Sequence, residues 1–452
     1  MGRLRLPTTT AYDLPLVAVV LGLVAIGLVM VYSASGIRAL DTLDDPSYYL
    51  VQQSAWAAIG IAGMLAAARV DHRRLRGLAA PLIAIALILL VLVLLPGLGT
   101  CAAGACRWLR ITSFVGVQPS EVAKLALIVY LAYWLAARRE RVTTAATTVP
   151  FIVLVVLVTG LVIAEPDLGT AIVIGAVAFT IWFVAGARLV LFGALGALVV
   201  VVTAAVAIAQ PYRLRRLLTF LDPWSDPRDA GFQTVQSLYG LALGGPFGEG
   251  LGAGKEKFGF LPAPYTDSIF AVIGNELGLV GTVAVIFLFL VLAFRGTRIA
   301  LRAPDPEGAL LAIGITAWLA FQAWLNMAVV ASLVPMTGIT LPFISYGGSS
   351  LCVGLCAVGI LLSVGRAGPT TRGASPPRSP QLGRGGSPRS PQLGRGGSPR
   401  SPHQGASSVP RAPRGRRDGR AREPAARGRG GAARARGGRA LPLPGRSARA
   451  RG

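Results

Sequence analysis

Ile83-Ala84-Ile85-Ala86-Leu87-Ile88-Leu89-Leu90-Val91-Leu92-Val93-Leu94-Leu95 is a run of thirteen residues without one polar side chain. A strand of a membrane barrel would alternate apolar and polar positions, and this run does not. It lies inside a longer apolar segment, 78–96, and roughly 20 mostly apolar residues let a helix cross the hydrocarbon core. In lipid the backbone polar groups must be satisfied within the segment, so the run reads as a membrane-spanning helix. Nine further segments read the same way: 14–34, 48–68, 119–137, 148–165, 168–186, 189–209, 268–294, 308–334 and 347–365. The expected fold is all-α: a polytopic bundle of ten transmembrane helices (14–366), preceded by a short N-terminal segment (1–13) and followed by a tail (367–452).

Composition agrees. The 452 residues are 53% hydrophobic and 14% charged, which excludes a soluble multi-domain enzyme. Four Cys are too few for a disulfide-rich scaffold. The formal charge of +24 is mostly a property of the tail: from Arg366 onward there are 21 Arg against Asp418 and Glu423. The unit Arg-Ser-Pro-Gln-Leu-Gly-Arg-Gly-Gly starts at Arg378 and again at Arg389, and contains too little apolar surface to fold, so the tail reads as disordered low complexity. Its basic residues suit the anionic inner leaflet; nucleic-acid binding and docking of a cytoplasmic partner are the sharper alternatives, and no nucleic-acid partner is expected.

Lys and Arg concentrate on cytoplasmic loops. With the N-terminus inside, the short inner segments hold 13 Arg, among them Arg69, Arg73, Arg74, Arg76, Arg138, Arg139, Arg141, Arg295, Arg298 and Arg302. The outer loops hold Arg38, Arg107 and Arg110, and a long extracytoplasmic loop, 210–267, holds six more basic residues. Both termini are then cytoplasmic. Leu14 to Val31 exceeds a usual signal-peptide core and reads as an anchor despite Ser33-Ala34-Ser35.

Polar groups gather toward the outer side. Glu121 and Lys124 are three apart at the start of the fourth span, so they either pair on one face or act separately, the Glu at the helix N-terminus and the Lys snorkelling outward. Asp167, in the turn Glu165-Pro166-Asp167-Leu168-Gly169-Thr170, suits a cap of the next helix. Arg213, Arg215, Arg216 and Lys255 could neutralise a phosphorylated lipid head group, or pair with Asp222, Asp226 and Glu256. Asp267 could be the N-cap of span eight. Asn275 and Glu276 lie deeper, and Gln322 and Asn326, four apart, suit interhelical hydrogen bonds. Leu341 to Ser350, which follows Pro335 and contains Pro342, Gly347 and Gly348, reads as a shaped loop. Cys101 and Cys106 could bridge; Cys352 and Cys356 read as buried apolar residues. There is no metal-ligand cluster, Walker loop, dinucleotide fingerprint or Ser/His/Asp arrangement, and the only His are His72 and His403.

Seven ordered motifs carry a resemblance: Arg107-Trp108, Gln118-Pro119-Ser120-Glu121-x-x-Lys124, Pro166-Asp167-Leu168-Gly169-Thr170, Asp222-Pro223-Trp224, Gln236-Ser237-Leu238, Thr266-Asp267 with Ile269-Phe270-Ala271, and Leu341 to Ser350. Together they resemble the SEDS family (shape, elongation, division and sporulation), which includes FtsW, RodA and SpoVE. Tyr133-Trp134 after Leu131, and Arg73-Arg74-Leu75, look more like the division member, FtsW. The resemblance implies a peptidoglycan glycosyltransferase polymerising lipid II at the outer face of the plasma membrane and releasing polyprenyl diphosphate. It also implies a class B penicillin-binding protein and other divisome proteins as partners. By motif, Asp267 matches the essential acidic residue, Glu121 and Lys124 a pair beside it, and Trp108 an outer-loop aromatic. Arg107, Arg213, Arg215, Arg216, Gln236 and Ser345 complete the expected substrate-binding set. The chain departs from the family at Ala263, Tyr265, Ser268 and Asn275, where Glu, His, Phe and Glu are common.

The expected reaction needs a base for a sugar hydroxyl and positive charge for the leaving diphosphate. Asp267 is the candidate base and Lys124, Arg213, Arg215 and Arg216 the candidate cations, with a divalent ion such as Mg or Mn as the candidate cofactor. A lipid II flippase, a RodA-like elongation polymerase and an inactive scaffold are the alternatives. Against the flippase stands the one-sided placement of the polar groups, with no evident inverted repeat.

Overall fold

A computed structural model describes residues 12–102, 105–110, 116–188, 219–229, 231–254, 261–262 and 264–367, with scattered positions between 190 and 201. Ten α-helices are described: α1 Leu14–Leu43, α2 Tyr48–Arg69, α3 Leu75–Leu94, α4 Pro119–Ala136, α5 Ala145–Ala164, α6 Leu168–Val184, α7 Phe232–Leu243, α8 Ile269–Arg302, α9 Pro306–Val330 and α10 Gly348–Arg366. Eight of these are long and apolar enough to cross a membrane; α6 is apolar but has 17 residues. Most of the expected span at 189–209, and the tail after Ala367, lie outside the described residues, so the count of ten spans does not follow from this structure.

Side-chain pattern sorts the helices. On α3 the exposed residues Leu78, Ile85, Ile88 and Val91 recur at helical spacing, leaving one apolar stripe for lipid. On α4 no such stripe remains: 72% of its span is buried inside the protein, against 28% for α3. A helix that is apolar all round and buried all round belongs at the centre, and α4 packs against α3, α6, α9 and α10. The α2–α10 pair is tighter still. A Cβ on Gly359 would stand 2.3 Å from the Met64 carbonyl, so only glycine lets these backbones approach so closely.

The end of the bundle where α1 begins is closed by ion pairs. Arg295 grips Asp13 at 3.0 and 2.6 Å, Arg73 grips Asp305 at 3.1 and 2.9 Å, and Arg76 meets Glu307 at 3.3 Å.

At the opposite end a three-stranded antiparallel sheet, β1 Gly99–Ala102, β2 Ala105–Arg110 and β3 Gly116–Val117, occupies what reads in sequence as a plain loop. Its register opposes Cys101 and Cys106; their side chains lie outside the described residues. Cys352 and Cys356 are half-buried rather than buried, with the Cys352 thiol 3.3 Å from the Trp56 carbonyl.

Residues 210–267 are not a surface loop throughout. Within them α7 starts beside Asp267 and runs along α8, and the glycine-rich turn after it, residues 244–252, inserts where α8 breaks. At Gly278 the backbone leaves the helix (φ 66°, ψ −160°), about 14 Å along the axis from Ile269. The freed backbone groups pair with the turn: Glu249 N and Gly250 N donate to Asn275 O and Glu276 O at 2.9 and 3.1 Å, and Leu279 N and Val280 N donate to Gly245 O and Pro246 O at 2.9 and 3.2 Å. Irregular backbone at membrane depth survives only where protein re-satisfies it in this way. The buried Glu276 carboxylate adds a tie across the break, accepting from Ser33 Oγ of α1 at 2.7 and 2.6 Å and from Gly252 N at 3.1 Å.

Gly278→Ala should therefore destabilise the protein. Its backbone region is essentially reserved for glycine, which implies about 1–3 kcal/mol, and a Cβ there would sit 2.3 Å from Gly248 N. A thermal-unfolding midpoint equal to wild type in the same detergent would contradict the described break.

Candidate functional site

Four segments converge at the Asp267 end: the first turns of α4, the α5–α6 turn, the non-helical stretch 331–347 and the approach to α8. Pro119 opens α4 at its first position, where a missing N–H costs nothing. That places Glu121 and Lys124 one turn inside. They pair at 2.8 Å, with side-chain exposures of only 4% and 3%. Pairing, not separate roles, is the outcome. Lys124 Nζ also donates to Gln322 Oε1 at 2.7 Å and lies 5.0 Å from the centroid of the Trp318 ring. Below it, aliphatic side chains of α4 and α6 with Trp318 line a narrow apolar crevice.

Asp267 lies one residue before the α8 N-cap, which is Ser268, so the expected role as N-cap is corrected. The carboxylate accepts from Gln233 Nε2 at 3.2 Å and from Thr266 Oγ1 at 3.2 Å, and it remains half-exposed. Its backbone is locked separately. Asn326 Nδ2 donates to Asp267 O and Ile339 O, both at 2.8 Å, and Ser345 Oγ donates to Thr266 O at 2.5 Å while accepting from Leu341 N at 2.8 Å. Gln322 Nε2 donates to Thr340 O at 3.0 Å. The pair Gln322 and Asn326 thus ties α9 to both halves of the site. Two amides four apart inside an apolar span signal hydrogen bonding from one helical face, and the structure directs those bonds to Lys124 and to the backbone of the site's loops.

The substrate-binding residues expected from sequence fare unevenly. Glu121 and Lys124 line the site. Ser345 is buried and holds the Asp267 loop. Gln233, not Gln236, reaches Asp267; Gln236 is half-buried on the same helix. Arg107 on β2 donates through Nε to Glu165 O at 3.2 Å and through a terminal nitrogen to Pro166 O, and stands 3.9 Å from Asp167 Oδ1. Its guanidinium thereby clasps the α5–α6 turn. Trp108 is half-buried beside Gly116. Arg213, Arg215, Arg216, Lys255 and Ala263 lie outside the described residues. Asp167 caps α6 as expected, accepting from Thr170 N at 3.2 Å, and also accepts from Gln118 Nε2 at 3.2 Å.

Several buried polar atoms here have no hydrogen-bond partner among the described residues: Glu121 Oε2, Asn326 Oδ1, Thr337 Oγ1 and both carboxylate oxygens of Glu165. Such atoms are rare in folded proteins. Glu165, in the turn after α5, is fully buried. Burial first, and the neighbouring Asp167 second, push its carboxyl up to about 8, with Arg107 acting the other way. A raised carboxyl binds its proton more tightly folded than unfolded. Stability is therefore lost as pH climbs from the unfolded value of 4.5 toward 8. Glu165→Gln should raise the melting temperature, more at pH 8 than at pH 5; a gain independent of pH would contradict a buried acid at this position.

Fold and site define a polytopic helical membrane protein with polar side chains gathered at one end, organised around one half-exposed carboxylate and one buried ion pair. The family model for FtsW, RodA and SpoVE, described as "Cell cycle protein", matches residues 14–368. The chain belongs to this family. It is 44% identical over 363 residues to a protein of Geobacter metallireducens named "Probable peptidoglycan glycosyltransferase FtsW", covering 80% of this chain and 96% of that one. It is 43% identical over 358 residues to stage V sporulation protein E of Bacillus subtilis, covering 79% and 98%. Among solved structures, a chain reported under "Structural coordination of polymerization and crosslinking by a peptidoglycan synthase complex" matches with a TM-score of 0.65 at 34% identity, covering 79% of this chain and 98% of that one.

Proposed function

We propose that this protein is a peptidoglycan glycosyltransferase that polymerises lipid II into glycan strands during cell division, at the outer face of the plasma membrane. The observation that carries the site assignment is Asp267. It is a half-exposed carboxylate whose backbone is pinned by Asn326 and Ser345, at the same end as the buried Glu121–Lys124 pair. Asp267 takes the proton of an acceptor sugar hydroxyl as that oxygen bonds to the anomeric carbon of a second lipid-linked disaccharide. The bond from that carbon to the diphosphate oxygen breaks, and its electron pair leaves with the polyprenyl diphosphate. Gln233 and Thr266 orient the carboxylate. Lys124 is the described cation nearest this chemistry in role: an ammonium has three donors, and two go to Glu121 and Gln322. Arg213, Arg215 and Arg216 remain candidates for the diphosphate. Among the described residues no group of three or more His, Cys, Asp or Glu side chains could hold a metal.

The arginine-rich end, with Arg73, Arg76 and Arg295 in ion pairs, suits the cytoplasmic side. That supports an extracytoplasmic site and cytoplasmic termini. A class B penicillin-binding protein is the proposed partner, in keeping with the synthase complex to which the fold is similar. Against a flippase stands the placement of Asp267 and the Glu121–Lys124 pair at one end, since alternating access needs matching sites within reach of both faces. The test is purified protein in liposomes with lipid II, with and without the cognate transpeptidase. Glycan strands are the expected product; lipid II translocated without strand formation would replace this reading with the flippase.

A further inference from the structure

Three tyrosines from distant parts of the chain meet beside the site. Tyr49 of α2 stacks at 4.9 Å and 33° on Tyr265, and meets Tyr346 edge-on at 5.2 Å; Tyr265 and Tyr346 are 5.7 Å apart. Tyr48 abuts Tyr49 at 5.4 Å, and the exposed Arg38 of α1 lies 5.9 Å over Tyr265. Tyr265 is buried, whereas Tyr48, Tyr49 and Tyr346 keep part of their rings accessible. The cluster is fastened to the Asp267 loop by backbone: Tyr346 N donates to Tyr265 O at 2.8 Å, one residue from the Ser345–Thr266 bond. Gln53 fastens it to α2, donating to Ser345 O at 3.2 Å and accepting from Gly347 N at 3.3 Å.

Tyrosines at a membrane interface commonly serve as anchors, with their rings among the lipid head groups. Here the rings stack on one another and on the reactive loop, which an anchor does not require. An aromatic face is electron-rich and attracts the polarised C–H face of a pyranose, while an arginine above it offers several N–H donors to ring substituents. We propose that the accessible rings of Tyr49 and Tyr346, backed by the buried Tyr265 and flanked by Arg38, form a saccharide subsite that holds a pyranose ring of the lipid-linked substrate next to the one reacting at Asp267. The subsite rests on the polymerase reading for its substrate, and its presence beside Asp267 makes it a determinant of sugar recognition, not of diphosphate binding.

The test compares binding of lipid II with binding of polyprenyl diphosphate, which has no sugar, to the full-length protein in detergent, alongside strand formation. Wild type is expected to prefer lipid II. Tyr49→Ala should weaken lipid II binding by about tenfold and leave polyprenyl diphosphate binding as it was, whereas Tyr49→Phe, which keeps the ring, should retain the preference. A thermal-unfolding comparison of the two variants separates misfolding from lost recognition, and Arg38→Gln, on an exposed side chain, gives an independent loss of preference. Equal weakening toward both lipids, or no change in either, would overturn the subsite. A wild-type protein that polymerises yet does not discriminate overturns the subsite alone; one that prefers lipid II yet forms no strands overturns the polymerase reading alone.

Discussion

Strand formation by Asp267→Asn should fall by about 10²–10⁴-fold, the usual contribution of a positioned general base. The amide matches the carboxylate in shape, and its oxygen can still accept from Gln233 Nε2, which lies 3.2 Å away. The backbone locks from Asn326 and Ser345 do not involve the side chain at all. The melting temperature should therefore stay close to wild type while turnover collapses. Two features keep the group suited to a base. Because Ser268 is the N-cap, the carboxylate stands before the helix instead of across its first N–H groups, where the helix dipole would stabilise its charge most. It is also only half-buried, so a hydroxyl can reach it. A variant that polymerises at wild-type rate would remove Asp267 from the chemistry.

The second large effect is expected at the buried pair. Removing one partner leaves the other charge without compensation in a low-dielectric interior, and losses of about 3–5 kcal/mol follow in such cases. Lys124→Met strands the Glu121 carboxylate, one oxygen of which already has no partner among the described residues. Glu121→Leu leaves the Lys124 ammonium with Gln322 and the Trp318 face. The combined change, Glu121→Gln with Lys124→Met, removes both charges and should recover most of the stability without recovering strand formation. Chemical unfolding in one detergent, run beside the polymerisation assay, separates the two quantities. If the double variant were as unstable as either single one, the pair would not be a compensating unit; if it were active, Lys124 would have no part in handling the diphosphate.

Part of this site is readable in the chain and part is not. Glu121 and Lys124 are three apart, and helical spacing alone brings them to one face. Asp167 precedes a helix by one residue, and its capping follows from that position. Local geometry decides both. Gln233 and Gln236 show the opposite case. They share a short helix, and only the packing of that helix against α8 selects the residue that reaches Asp267. Arg107 is expected from the sequence in the substrate-binding set, yet its donors go to the carbonyls of a turn some sixty positions later in the chain. Ser345 likewise reads as a loop hydroxyl and proves to be a brace.

Hydropathy alone determines that this is a bundle of membrane-crossing helices, because backbone groups in lipid must bond within their own segment and only long apolar runs allow it. It determines nothing about the break at Gly278, since Gly-Leu-Val-Gly is equally at home in an unbroken span. That break exists because a distant glycine-rich turn supplies the missing hydrogen bonds, and a contact between residues thirty positions apart leaves no periodic trace. The same holds for the tyrosines at 49, 265 and 346. In the sequence Tyr265 stands out only as a departure from the family and the other two not at all, and only the closing of α2 onto the two loops makes them one surface.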